Sequence, residues 1–354
     1  MSDEQLYKEL ARHLDEAIIG VPETPTLIKI LQILFPGEEA GIGVRLPFAD
    51  KTLSELEEIF PEKAEKLGDI LDRMARRGTV FTSEKPGAEK TYRLLPSVVG
   101  FSETPFWGGD DNEMTRALAP LWIRYLKEAF GAELARGVPV VRVIPISESL
   151  GDESEILPFD VLKEKVNDAS FIAVAKCPCR QMKRYVGEGC DHSLENCLHF
   201  GSMGRYIVAQ GMGRQITGEE TLEILTKANE EGLVHVCDNY QGGGLSTICS
   251  CCSCCCVFLQ SKVVYGLESL SRSNYVALVD EAVCVGCATC EERCPVGAIK
   301  VGDDELAVVD EALCIGCGVC APSCDTEAVA LVIREEIKPP PEPMDFVAAR
   351  LKVK

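Results

Sequence analysis

The stretch VDEAVCVGCATCEERCPVGAIKV (residues 279–301) returns as VDEALCIGCGVCAPSCDTEAVAL (309–331), offset by 30 residues. Each copy carries the spacing C-x2-C-x2-C-x3-C. The cysteines are Cys284, Cys287, Cys290 and Cys294 in the first copy, and Cys314, Cys317, Cys320 and Cys324 in the second. Two-residue spacers let one loop bring three thiols around a common centre. Gly286, Gly316 and Gly318 lie in these loops, where small residues let backbone N–H groups come close to sulfur. The rest of the cysteine usage agrees. None of the 19 cysteines precedes Cys177, and six of the eight residues from Cys249 to Cys256 are cysteine. A disulfide framework would spread them to close loops, whereas adjacent thiols suit thiolates gathered on metal.

The repeated spacing, with Pro295 after Cys294, resembles the bacterial-type two-cluster ferredoxins over about 60 residues. That resemblance implies two [4Fe–4S] clusters, with the fourth thiolate of each copy serving the other cluster. One cluster then takes Cys284, Cys287, Cys290 and Cys324, and the other takes Cys294, Cys314, Cys317 and Cys320. It also implies one-electron transfer at low potential. Asp325 stands where the repeat would place proline, which puts the local turn in question but leaves Cys324 in place. A zinc-ribbon pair would need only C-x2-C, and the duplicated x2-x2-x3 spacing argues against it.

Eleven further cysteines lie in the middle of the chain. Cys177, Cys179, Cys190 and Cys197 form a C-x-C-x10-C-x6-C set, read either as a third cluster or as a structural zinc site. Cys237, Cys249, Cys251, Cys252, Cys254, Cys255 and Cys256 form a second set, read as a fourth cluster whose ligands the sequence leaves unassigned. The run ICSCCSCCC (248–256), with CPCR upstream, is similar to the cysteine-dense loop of uncharacterised ferredoxin-domain proteins. Adjacent cysteines point to opposite sides of an extended chain, so Cys251 and Cys252 share a centre only if the loop kinks. His192, His199 and His235 read as surface or core residues. Gly242–Gly244 reads as a place where backbone approaches a cluster, and Met203 and Met212 read as packing.

Outward from these cysteines the chain reads as an α+β multidomain protein. Residues 1–100 hold no cysteine and resemble a winged helix. Thr52 and Glu55 form a capping box. Leu67, Ile70, Leu71 and Met74 share a helix face ending at Gly78. Val80–Phe81 and Tyr92–Leu94 flank a hairpin turn. Residues 101–274 read as a mixed α/β cysteine-rich domain. Its expected elements are helices over 115–131, 158–169 and 217–230, with strands over 138–146, 171–175 and 233–236. Residues 275–336 are the ferredoxin-like domain. Residues 337–354 are a proline-rich linker and a tail, DFVAARLKVK (345–354), read as a frayed terminus in slight preference to a short docking helix.

Composition bounds the rest. A chain of 354 residues fits two to three domains at roughly 150 residues each. No apolar run approaches the roughly 18 residues of a membrane span. The first residues are acidic, with no basic segment ahead of an apolar one, unlike a signal peptide. A reducing cytoplasm and an anaerobic host follow as expectations. The net charge of −20 argues against nucleic acid as a partner. The winged-helix block alone is −5, and its second helix only +1. The segment 276–336 holds 3 basic and 13 acidic residues, which suits a redox partner with a basic docking face.

The sequence therefore predicts an iron–sulfur electron-transfer protein, a subunit of or donor to a larger oxidoreductase. Two alternatives stand beside it. One is an Fe–S enzyme reducing a disulfide or small substrate at the 249–256 loop. The other is a redox-sensing winged-helix regulator.

Overall fold

The computed structural model describes residues 2–84, 87–146, 162–163, 166–240, 245–334 and 342–353. Half of the helix expected over 158–169, the Gly242–Gly244 run and most of the proline-rich linker lie outside these residues. The chain is mixed α/β and divides into two compact units. The first comprises Met1–Leu134, Ala173–Leu194 and Ser202–Gln215. The second comprises Ala135–Ile172, Glu195–Gly201 and Ile216–Lys354.

In the first unit, Ser2 and Thr24 cap the helices Asp3–Asp15 and Pro25–Leu34 through side-chain oxygens that accept from Gln5 and Leu27 N–H. Leu10, Leu14, Leu27, Ile30 and Leu31 bury the facing sides of these helices. The Thr52 capping box is complete. Its Oγ1 accepts from Glu55 N–H at 3.3 Å, and Glu55 Oε2 accepts from Thr52 N–H at 2.8 Å. This opens the helix Leu53–Ile59, followed by the helix Ala64–Arg77 and the hairpin strands Val80–Ser83 and Thr91–Leu94. Lys51–Thr52 adds a short strand beside Thr91–Leu94. Leu67, Ile70, Leu71 and Met74 are all buried. Gly78 ends the second helix at φ +85°, and a Cβ there would lie 2.2 Å from Thr104 Oγ1.

One expected terminus is corrected. Gly131 does not stop the helix that begins at Glu113. The helical path passes through a wider turn at Leu126–Phe130 and on through Gly131–Leu134, with Gly131 at a helical φ of −59°. The stacked rings of Tyr125 and Phe130, 5.5 Å apart, hold the chain in this path. Glu133 then accepts from Gly20 N–H at 2.8 Å inside the unit.

In the second unit, Val141–Ile144 pairs antiparallel with Val234–Asp238, which pairs antiparallel with Thr247–Cys251. Glu195–Phe200 lies on the far side of Thr247–Cys251, also antiparallel, and Leu270–Ser271 pairs parallel with Val141–Ile144. Thr217 caps the helix Gly218–Glu230, with Gly232 just beyond it at φ +75°. A second correction concerns the C-terminus. Residues Pro343–Leu351 form a helix rather than a frayed tail, because Phe346 is buried and the buried Arg350 donates to the Val138 carbonyl at 2.6 Å.

The repeat within this unit folds as two interleaved halves. Tyr275–Val279 pairs antiparallel with Val329–Ile333, and Ile299–Val301 pairs with Ala307–Val309. The halves share the bonds that start each cysteine loop. Asp280 and Asp310 each accept from the N–H two residues on at 2.9 Å, and their carbonyls accept from Cys284 and Cys314 N–H. The short cysteine-bearing loops thus hang from equivalent Asx turns.

Candidate metal centre

Two hollows sit in the repeat. Cys284, Cys287, Cys290 and Cys324 line one, with Ala307, Ala328 and Val329 as apolar wall. Cys294, Cys314, Cys317 and Cys320 line the other, with Ala277, Ile299, Ile315 and Leu331. Each hollow therefore draws three thiols from one loop and a fourth from the other copy. The donor set suits a cluster: four soft sulfurs in an apolar pocket, with no carboxylate among the lining residues.

The loops reach this shape through left-handed backbone at matching positions. Gly286 and Gly316 have φ +65° and +66°, and Ala288 takes φ +63° where Gly318 takes +78°. After the fourth cysteine, Gly297 N–H bonds to the Cys294 carbonyl at 3.3 Å and Glu327 N–H bonds to the Cys324 carbonyl at 2.9 Å. Gly297 and Glu327 are both left-handed, at φ +66° and +56°. Asp325 in place of proline thus leaves the turn intact.

The two hollows differ in access to water. In the first, Cys287 is exposed, Cys284 and Cys324 are half-buried and Cys290 is buried; in the second, Cys294 is half-buried and Cys314, Cys317 and Cys320 are buried. Thr289, whose hydroxyl lies 3.5 Å from its sulfur, holds the Cys287 thiol below its usual range. Burial pushes Cys290 up, pushes Cys317 up to about 12, and raises Cys320 further. Buried thiols of this kind lose their protons to a bound cation far more readily than to water. Ala298 N–H also donates to Cys294 Sγ at 3.1 Å.

Two residues that no motif marks hold the second loop. Arg334 donates to the carbonyls of Glu311, Tyr275 and Cys314 at 2.8, 2.9 and 3.0 Å. Ser273 Oγ donates to the Gly316 carbonyl at 2.6 Å. The one signal for Arg334 in the sequence is its scarcity, as one of 3 basic residues in 276–336. Ile146 N–H also donates to the Cys317 carbonyl at 3.1 Å, tying the second loop to the residues just after the strand Val141–Ile144.

The middle cysteines are distributed unevenly. Cys177, Cys179 and Cys190 fall in the first unit and Cys197 in the second. Cys177 is raised well above its usual range, first by its hydrogen bond with Cys179 and then by burial. The carbonyl of Cys190 accepts from Arg184 at 3.2 Å. Cys197 stands opposite Cys249 across paired strands, and its sulfur lies 3.1 Å from His199 Nε2. His199 is fully buried, and burial holds it down to about 3, so its ring is neutral. His235 is likewise buried and neutral, held between Ser250 and Asn229 at 3.0 and 2.6 Å. Val236 pairs with Cys249, so the next residue, Cys237, faces the opposite side of the sheet. Cys251 ends its strand opposite Val234. Beyond it, Cys252, Cys254 and Cys255 bring their sulfurs within 4.8 Å of one another. Cys256 is buried at the start of the helix Val257–Val263.

Residues 283–329 match the family of 4Fe-4S dicluster domains. No curated protein matches the chain, and no solved structure does. The matched domain makes this an iron–sulfur protein that binds [4Fe–4S] clusters. No helix among the described residues is long and apolar enough to cross a membrane.

Proposed function

We propose that the chain is an electron-transfer protein of the cytoplasm, passing low-potential electrons to or within a larger oxidoreductase. The observation that carries this reading is the pair of four-cysteine hollows, one with the exposed Cys287 at its edge and the other with three buried thiols. Cys284, Cys287, Cys290 and Cys324 would hold one [4Fe–4S] cluster, and Cys294, Cys314, Cys317 and Cys320 the other. Bound there, such clusters supply one-electron oxidation and reduction. The residues around them set access. Cys287 and its neighbours Val283 and Val285, 44% and 64% exposed, offer a small apolar contact beside the outer hollow. Acidic residues of the same segment, among them Glu281, Glu305 and Asp325, steer a basic partner toward it. Apolar residues, among them the buried Ile315 and Ile299, line the second hollow. One or two further clusters among the middle cysteines belong to this reading.

The regulator alternative is weakened by the pairing of the helix Ala64–Arg77. Glu38 pairs with Lys63 at 3.0 Å and with Arg73 at 3.2 Å, and Glu39 pairs with Arg77 at 3.3 Å. These carboxylates cancel most of the charge a phosphate backbone would need. We therefore assign the winged-helix-like segment to protein docking.

Film voltammetry on the anaerobically purified chain tests the main reading. Reversible one-electron couples at low potential are expected, with about eight or more irons per chain. Full iron loading without any reversible couple would overturn it.

A further inference from the structure

The turn after the strand Thr247–Cys251 lies outside the matched dicluster domain. There the Cys252 carbonyl accepts from Cys255 N–H at 3.4 Å and from Cys256 N–H at 3.0 Å. Gln260 braces the turn from the following helix, its side-chain amide donating to the Ser253 carbonyl. The kink overrides the alternation of an extended chain, and neighbours Cys254 and Cys255 place their sulfurs 3.7 Å apart. With Cys252, all three sulfurs lie within 4.8 Å of one another. Cys252 and Cys255 are 6% and 3% exposed, while Cys254 reaches solvent.

That spacing discriminates between kinds of metal centre. A single tetrahedral ion with metal–sulfur bonds of about 2.3 Å holds its sulfurs about 3.8 Å apart. A cubane spreads its thiolates over a larger tetrahedron, with edges of roughly 6 Å. Among the described residues of this unit, no other three cysteine, histidine or carboxylate donors come as close, those of the two ferredoxin hollows included. The turn is thus built to a smaller gauge than the hollows.

We propose that Cys252, Cys254 and Cys255 bind one thiophilic metal ion, zinc(II) or a single iron, as three of its four ligands. Binding replaces three S–H bonds by three metal–sulfur bonds and releases three protons to solvent, with no change of oxidation state. A fourth donor completes the tetrahedron. The site leaves the two ferredoxin clusters of the electron-transfer reading untouched but takes three cysteines that reading would count toward a fourth cluster, and the labile-sulfide count separates the two failures.

The test is metal and acid-labile sulfide per full-length chain, purified anaerobically without chelator, for wild type and for Cys252→Ser, Cys254→Ser and Cys255→Ser. Each variant is expected to lose one equivalent of zinc or iron. Labile sulfide and the EPR signals of the reduced clusters should be unchanged. The element lost identifies the ion. Cobalt(II) reconstitution of wild type should give thiolate charge-transfer bands of a tetrahedral site, weakened in Cys254→Ser. The same assay over Cys177, Cys179, Cys190, Cys197, Cys237, Cys249, Cys251 and Cys256 finds the fourth ligand. Loss of about four irons with about four sulfides would overturn the single-ion proposal in favour of a cluster. Unchanged metal content, or a Cys254–Cys255 disulfide found by mass in the wild-type chain, would overturn metal binding altogether. If a variant unfolds, release of one tight ion from the wild-type chain on thiol titration decides between these outcomes.

Discussion

A methyl group at Gly286 would sit 2.1 Å from the Glu305 carbonyl oxygen, and one at Gly316 would sit 2.2 Å from that of Tyr275. Both are contacts with backbone, which cannot swing aside, and both residues have positive φ. Gly286→Ala and Gly316→Ala should therefore each distort one cysteine loop. Iron should fall from about eight toward about four per chain for the ferredoxin segment, and iron and sulfide analysis reads this directly. Glu103 is a different kind of residue-scale effect. Burial raises its carboxyl from 4.5 to about 7, while Gly100 N–H donates to it at 2.9 Å. The folded state holds the proton more tightly than the unfolded chain. Its contribution is therefore full below the unfolded value and is lost as pH rises through about 7. Glu103→Gln keeps an oxygen for Gly100 and removes the ionisation. It should raise thermal stability at about pH 8, by on the order of 1 kcal/mol because solvent reaches part of the side chain, and by less at about pH 5.5.

Local rules explain the elements well where the partners are close in sequence. The Thr52–Glu55 box joins residues three apart, and Thr52→Ala should cost about 1 kcal/mol, read as a lower midpoint in thermal unfolding of the first unit. The same reasoning could not place the end of the helix beginning at Glu113. Glycine at 131 is a stop signal only if the chain turns left-handed there, and the packing of Phe130 on Tyr125 keeps it helical instead. The same reasoning could not decide between a helix and a frayed tail at the C-terminus, since the anchor of Pro343–Leu351 is a hydrogen bond from Arg350 to Val138, 212 residues away. Arg350→Ala leaves that carbonyl unpaired and removes a buried stem. Amide exchange over 343–351 should then become faster by tenfold or more, while exchange in the ferredoxin strands stays unchanged.

For the molecule as a whole, charge sets the behaviour. At −20 the chain repels acidic proteins and draws basic ones. Electron transfer from the reduced protein to a small basic cytochrome should slow steeply as ionic strength rises from about 0.01 to 0.2 M, because the Debye length shrinks from about 30 Å to below 8 Å. A rate that does not change with salt would remove electrostatic steering from the account.

The eight cysteines of the repeat were legible from the sequence because their spacing is local. Two-residue spacers and a glycine per loop prescribe a wrap around a common centre wherever the segment is placed. The Thr52 cap, the amphipathic face of Ala64–Arg77 and the strand leading to Cys237 were legible for the same reason, whereas Thr247–Cys251, read from the sequence as part of a loop, forms a strand. Tertiary structure alone decided the rest. Spacing could not choose three convergent thiols from the seven between Cys237 and Cys256, because that choice depends on a kink braced by Gln260. It could not single out Ser273 or Arg334, whose roles come from carbonyls brought to them by the fold. Nor could boundaries drawn along the chain describe units assembled from separate segments. Short-range geometry is written in residue spacing, whereas long-range convergence appears only when buried surfaces have chosen their partners.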